Sequence, residues 1–405
     1  MSTLKVDAIR HNSATSDAIT TAADGTCIAN ISSFNGGSGF AGRNIILNGE
    51  YVIDQRMGGS ATAITPTGGV DYTCDMWHES NYGGEAARIT FQTVSGDTPT
   101  SNYRQSIKLD VTTAMGTPSG NNMFHFGQWI ESQNIKFLGH GTSSAKPITL
   151  QFWIKSTKTG TACVCIQRHD ASREYIAEYT INQSNTWEKK TITIPGDTSG
   201  TEAAGDNGRG FLVSFVLFAG SSRHGTVNTW RAWNGGYYGS SANQVNLLDS
   251  TSNNILFSGV QLEVGNIATP FEHKTFSDNL RDCQRYYYQV GGVTNDGGPA
   301  EPYGVILPHA MCASSTRVKG VLEHPVPMRD APSISGGGSG QAKIQVGDSS
   351  GNSYLVYNSL WGSSNSTRFT WIDLAPNSGS VSNIGESGIV YANNSTYHIK
   401  VSAHL

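Results

Sequence analysis

Along much of the chain, apolar and polar residues alternate with the two-residue period of a half-buried strand. Tyr103, Gln105, Ile107, Leu109 and Val111 alternate with Arg104, Ser106, Lys108 and Asp110, and Ile148, Leu150, Phe152 and Ile154 alternate with Thr149, Gln151, Trp153 and Lys155. In a strand successive side chains point to opposite faces, so each run places one face in a core and one in water. Residues 211–218 and much of 255–262 are apolar on both faces. Such runs predict central strands, covered on both sides. Gly-rich turn clusters recur between them at Gly58, Gly83, Gly196 and Gly235. Many antiparallel strands over 44–276 predict a two-sheet sandwich or jelly roll.

One helix stands out, over 277–287. Ser277 is placed to cap it, Asp278 suits the positive first turn, and Leu280, Cys283 and Tyr287 share a face. It would link the sandwich to a second β region over 288–405. There, short runs are separated by Gly, Ser and Asn loops, and Pro325, Pro327 and Pro332 mark an edge or a loop. At the other end, 1–30 reads as two short extended pieces around a polar turn, too small to bury a core alone. Residues 31–43 read as a flexible Gly/Ser linker. The fold class expected is all-β: an extended N-terminal segment, an antiparallel sandwich, a short linking helix and a small C-terminal β domain.

Composition sharpens this picture. Gly numbers 47 and charged residues make up 14%, against ~25% in an average soluble domain. Few Lys, Glu and Arg leave little to build solvated helix faces. The net charge of −4 comes with no Lys/Arg cluster, which argues against nucleic acid as a partner. The longest apolar run, residues 211–218, is far short of the ~20 residues of a membrane helix, and membrane insertion is not expected. The start, Met1-Ser-Thr-Leu-Lys-Val6, lacks a signal-peptide pattern, so synthesis in a cytoplasm is expected. The six cysteines Cys27, Cys74, Cys163, Cys165, Cys283 and Cys312 form no Cys-x-x-Cys pair. They read as free, buried thiols rather than zinc ligands or disulfides. No cofactor is expected.

Several segments resemble a family of phage tail-fibre proteins of marine and cyanobacterial phages. The residues are Met1 to Ile9, Asn44 to Gly49 with Asp54 to Arg56, Tyr72 to Trp77, Leu150 to Ser156, and Trp187. They continue with Trp230 to Tyr238, Asn246 to Ser250, and the long stretch from Gly259 through Glu272 to Tyr287; Pro325 to Pro332 is similar to a C-terminal β module found on such fibres. The resemblance implies a carbohydrate-binding-module-like jelly roll in mid-chain. It also implies a virion protein of the tail, a homotrimer, attached to other tail proteins through residues 1–30 and directed at a host-surface glycan. The C-terminal domain would be the tip.

The candidate ligand site is the segment Trp230, Arg231, Trp233, Asn234, Tyr237, Tyr238. Sugar rings stack their C–H faces on aromatic planes, while Asn and Arg hydrogen-bond hydroxyls. The alternative is a loop packed on the sandwich or on a trimer seam. Trp77, Asp75 and His78 form a second cluster, with Trp77 read as core. Asp71, Asp75 and Asp249 could offer oxygen ligands to calcium, yet no Asp-x-Asp-x-Asp-Gly loop is present; turn-capping is the simpler role, and no metal site is assigned. Glycosidase chemistry needs two facing carboxylates. The local pairs Asp197/Glu202 and Glu174/Glu178 read as solvated surface, and no Gly-x-Ser-x-Gly, His-Glu-x-x-His or P-loop occurs. A non-catalytic binding protein is therefore expected. A tailspike-type polysaccharide-degrading enzyme and a head fibre, decoration or adaptor protein are the rival readings.

Overall fold

The structure is a computed structural model. It describes residues 6–10, 19–21, 23, 27–29, 33–34, 37–38, 42–64, 70–83, 88–233, 239–291, 304–336, 342–348, 351–376, 384–385, 387–392 and 398–405, with only the backbone described at 27–29, 33–34, 37–38, 64, 88, 342–348, 351–365, 376 and 391.

The chain is all-β, as its alternation predicts. A seven-stranded antiparallel sheet is ordered Trp230–Ala232, Arg173–Ile181, Gly160–Arg168, Arg209–Ala219, Met123–Glu131, His78–Tyr82, Val70–Tyr72. It faces a six-stranded antiparallel sheet ordered Glu188–Ile194, Ile148–Ser156, Asn254–Val264, Ser106–Thr113, Arg88–Val94, Thr62–Ile64. The two doubly apolar strands, Arg209–Ala219 and Asn254–Val264, lie in the interiors of their sheets, where both faces are covered. Ile107, Leu109 and Val111 from one run and Ile148, Leu150, Phe152 and Ile154 from the other turn inward and are buried. Between the sheets, Trp77 stacks on Phe126 at 5.1 Å, and Phe215 packs on Phe152 and Phe257 at 4.8 and 4.7 Å. Tilted and edge-on aromatic packing of this kind favours one arrangement of the core. Trp77 is wholly buried, with its Nε1–H donated to the Asn48 carbonyl at 3.1 Å.

Gly259 stands where the backbone and a neighbouring ring leave room for glycine alone. Its φ is +58°, and a Cβ there would run into the Tyr103 ring at 2.5 Å. The strand register slips at this point, between Gln151 and Trp153 of the neighbouring strand. Only glycine accepts this backbone with an aromatic ring so close.

The helix is Phe276–Gln284 rather than 277–287, and its cap is Thr275, whose side chain accepts from the Asp278 N–H at 3.2 Å. Cys283 is buried on the apolar face, while Tyr287 belongs to the following strand, Tyr287–Gly291. That strand pairs with His398–Ser402, which in turn pairs with Ser333–Ser335. Beyond it, six strands close a barrel: Val305–Ser314, Arg317–Glu323, Phe369–Pro376, Gly351–Asn365, Ala342–Asp348 and Ser387–Ala392. Closure removes the exposed edges of a small sheet. The N-terminal region holds three short strands, Ala8–Ile9, Ile19–Thr21 and Cys27–Ala29, where the sequence suggested two pieces. A two-residue hairpin at Ser33–Phe34 and Gly37–Ser38 lies within the expected linker.

The last residues of the described chain bind the sandwich to the C-terminal region. Arg329 donates to the Ala403 and His404 carbonyls at 2.7 and 2.8 Å and to the Asn207 carbonyl at 2.7 Å. His404 stacks on Tyr72 at 3.7 Å and hydrogen-bonds Arg56, whose guanidinium lies 3.5 Å from the Tyr287 ring centre.

Candidate functional site

Strand alternation decides which side chains leave the core of the seven-stranded sheet. Phe124, Phe126, Phe215 and Val164 point inward. Their neighbours in sequence therefore stand on the outer face. Across the sheet, His78 is opposite Gly127, Gly127 opposite Ser214, and Ser214 opposite Cys165. One step along, Trp129 is opposite Leu212, Leu212 opposite Gln167, Gln167 opposite Glu174, and Glu174 opposite Arg231. Gly127 sits low between His78 and Ser214, and a Cβ on it would collide with the Val213 carbonyl.

Six rings run across this face in a continuous file. Tyr82 to His125 is 5.9 Å between centroids, His125 to His78 6.0 Å, and His78 to Trp129 6.4 Å with the planes nearly parallel. Trp129 to His169 is 5.4 Å and His169 to Trp233 6.2 Å, both edge-on. The ends of the file are open: Tyr82 and Trp233 are half-buried and His169 is exposed. The middle is closed, with His78 and His125 at 1% exposure and Trp129 at 9%. Arginines stand over two of the rings, Arg223 5.4 Å from the centre of Tyr82 and Arg209 4.7 Å from that of Trp129.

The imidazoles of the file are held neutral. Burial pushes the His125 pKa down to about 3. Burial, followed by the charges of His125 and Arg209, pushes His78 well below its ordinary value. Burial and Arg209 lower His169 as well, against an opposing pull from Asp170. A neutral imidazole offers one donor and one acceptor, which suits a hydroxyl, itself both donor and acceptor.

The segment singled out in sequence divides between the two faces. Trp230 turns toward the core side: its Nε1–H is donated to the Pro195 carbonyl at 2.7 Å, and its ring packs on Tyr175 and His140. Arg231 lies on the outer face, in an ion pair with buried Glu174 at 3.1 Å. Trp233 ends the aromatic file, with its backbone N–H donated to the Ser172 carbonyl. Asn234, Tyr237 and Tyr238 lie outside the described residues. Tyr82, His125, Trp129 and His169 were not among the ligand-contact candidates in sequence. Their signal, aromatic residues at alternate positions of strands that pair only in the fold, is visible once register is known.

The carboxylates considered for chemistry have other duties. Asp197 is buried rather than solvated: it receives Arg168 at 2.6 Å and Arg173 at 2.7 Å. Burial raises its pKa, but the hydrogen bonds from Arg173 and Arg168 outweigh that and lower it overall. Glu174 is likewise buried, whereas Glu202 is exposed beside Lys136. Glu178 accepts from Ser241 at 2.5 Å and Asn243 at 3.0 Å. Asp75 accepts from the Gln55 backbone and side chain, and Asp249 pairs with Lys158. Asp71 stands opposite Glu79. The three aspartates considered for calcium are thus engaged separately. Five cysteines, Cys74, Cys163, Cys165, Cys283 and Cys312, are free and buried.

No family model matches the sequence, and no curated protein matches it. Solved structures similar to the chain are carbohydrate-binding modules and a phage tailspike domain. The enzymatically active domain of tailspike protein 4 of bacteriophage CBA120 matches at 16% identity and a TM-score of 0.28, over 55% of this chain and 21% of that one. The chain thus spans about a fifth of the tailspike domain's length. A family 4 carbohydrate-binding module matches at 17% identity and a TM-score of 0.27, over 54% and 98% of the two chains. The family 11 module of the cellulosomal cellulase Lic26A-Cel5E of Clostridium thermocellum matches at 13% identity and a TM-score of 0.26, over 53% and 98%.

Proposed function

We propose that the protein is a non-catalytic virion component of tail-fibre type that adsorbs to a host-surface glycan through the outer face of the seven-stranded sheet. The observation that carries the binding part is the six-ring file from Tyr82 to Trp233. It is open at its ends and set among neutral imidazoles and arginines. Aromatic walls with a few polar groups are the usual make-up of a small-ligand site. The tail location rests on the sequence resemblance, which also supplies the expectations of a homotrimer, attachment through residues 1–30 and a distal C-terminal tip.

The barrel surface supports association of copies. Met311, Val321, Phe369, Trp371 and Ile389 are exposed on it. Met311, Val321 and Trp371 line a groove of about 620 Å³ together with Lys319 and Glu323. Exposed apolar surface of this kind commonly marks an interface, and three copies in a fibre would raise avidity without new contacts at each site. The arginine clamps on Asp197 and Glu174 favour binding over hydrolysis, because a carboxylate so engaged is a poor proton donor.

Purified full-length protein incubated with host polysaccharide tests this reading. Retention on the polysaccharide without new reducing ends is expected. Released reducing ends would overturn the non-catalytic assignment, and absence of retention would overturn the glycan assignment.

A further inference from the structure

The centre of the aromatic file holds buried polar groups left unpaired beside a charge. His78, Trp129 and Ser214 are at least nine-tenths buried. The two ring nitrogens of His78, the Trp129 Nε1–H and the Ser214 hydroxyl have no hydrogen-bond partner among the described residues. Buried polar groups are nearly always paired, and leaving one unpaired costs free energy. Three such side chains on one face, two of them flanking Gly127, mark a place completed from outside.

Arg209 adds a charge to this set. Its guanidinium lies over Trp129 and close enough to His78 and His169 to depress their protonation. Among the described residues no carboxylate forms an ion pair with it. The buried glutamates of the neighbourhood are committed elsewhere. Glu131, its cross-strand neighbour, is held by Arg285 at 2.9 Å and by Tyr286 and Gln133. Glu174 is held by Arg231, while Asp170 accepts from Ser132 at 3.4 Å through one oxygen and forms no ion pair among the described residues, its other oxygen being buried without a partner there. A half-buried arginine beside a ring face and unpaired donors fits a ligand with one negative charge and several lone pairs. A planar carboxylate matches the guanidinium fork two bonds at a time.

We infer that the sheet-face site takes an acidic glycan, with the carboxylate of a uronate-type sugar held by Arg209 beside Trp129 and His78, and the flanking sugars stacked on Tyr82 and Trp233. The inference rests on the glycan-binding reading of this face and adds the charge of the ligand. His78, packed by the Tyr72 ring at 5.6 Å, and Ser214 are closed to solvent in the free chain, so half-buried Arg209 is the group the carboxylate meets first.

Titration calorimetry of the full chain decides it with three probes: uronate oligosaccharides, the same oligosaccharides carboxyl-reduced to neutral sugars, and sulfated neutral oligosaccharides. Uronates should bind, and reduction should weaken binding roughly ten- to hundredfold, the range of a charge-assisted hydrogen bond. Arg209→Gln should abolish this preference, so that the acidic and the reduced probe bind with equal affinity. Arg209→Lys, which keeps the charge and loses the fork, should retain only part of it. An unchanged thermal midpoint for Arg209→Lys guards against misfolding, so its loss of preference is decisive even where Arg209→Gln fails to fold. Equal affinity for acidic and reduced probes, or stronger binding of the sulfated one, overturns the uronate assignment alone. If Trp233→Ala and Tyr82→Ala leave all binding intact, the sheet-face site itself is overturned.

Discussion

Glu79 gives the sharpest test of the core as described. It stands opposite Phe126 in the sheet, which puts it on the core side, and it is fully buried. Asp71 is its partner across the edge strand. Burial first, and then the charge of Asp71, raise its pKa from 4.5 to about 8. The sign follows from which state holds the proton. In the unfolded chain the carboxyl ionises near 4.5, whereas in the folded one it stays neutral until about 8. Its stabilising contribution is therefore fully present below the unfolded value and declines as pH rises through the folded one. The gap between 4.5 and about 8, at ~1.36 kcal/mol per pKa unit, sets an upper bound of about 5 kcal/mol. Glu79→Gln keeps the shape of the neutral acid and cannot ionise. Urea unfolding of both proteins, followed through the near-ultraviolet signal of the aromatic core, should give nearly equal stability at about pH 5. The variant should then gain steadily, becoming more stable by several kcal/mol at about pH 9. A difference that stays constant across this range would refute the burial of an uncompensated acid at this edge.

Two further perturbations probe the same sandwich. Asp197→Asn leaves the Arg168 guanidinium buried without its counter-charge, so urea unfolding at neutral pH should show a loss of about 3–5 kcal/mol; a loss under about 1 kcal/mol would mean that the clamp is solvated. His125 works in the opposite direction to Glu79. Burial lowers its pKa to about 3, so the stability tied to its neutral form is present above about 6.5 and lost as pH falls toward 3. His125→Gln should flatten the fall in thermal midpoint between about pH 6.5 and pH 4, and identical acid profiles for the two proteins would refute that.

The strands were legible where burial is one-sided or complete. Ile107 to Val111 and Ile148 to Ile154 are periodic because the sheets are layered, and residues 211–218 are apolar on both faces, Ser214 aside, because their strand is covered on both. The helix was legible to within a few residues. Its true cap lies two positions earlier, at Thr275, since both Thr275 and Ser277 are capping residue types. Asp197 and Glu174 read as surface because a carboxylate beside a turn usually is. The arginines that permit their burial come from elsewhere in the fold for Glu174, and from two neighbouring strands for Asp197.

The sequence by itself determined the all-β class, the central strands, the linking helix and the aromatic character of residues 230–233, because each is written in local periodicity or composition. The tertiary structure alone decided the binding face. Tyr82 and His78 share one strand, His125 and Trp129 share another, and His169 and Trp233 lie in connections, so the file forms only after strand register sets them side by side. The same register turned Trp230 inward and left Trp233 outward. Side chains alternate with a period of two along a strand, so pairing, which local sequence does not encode, chooses the companions of each ring.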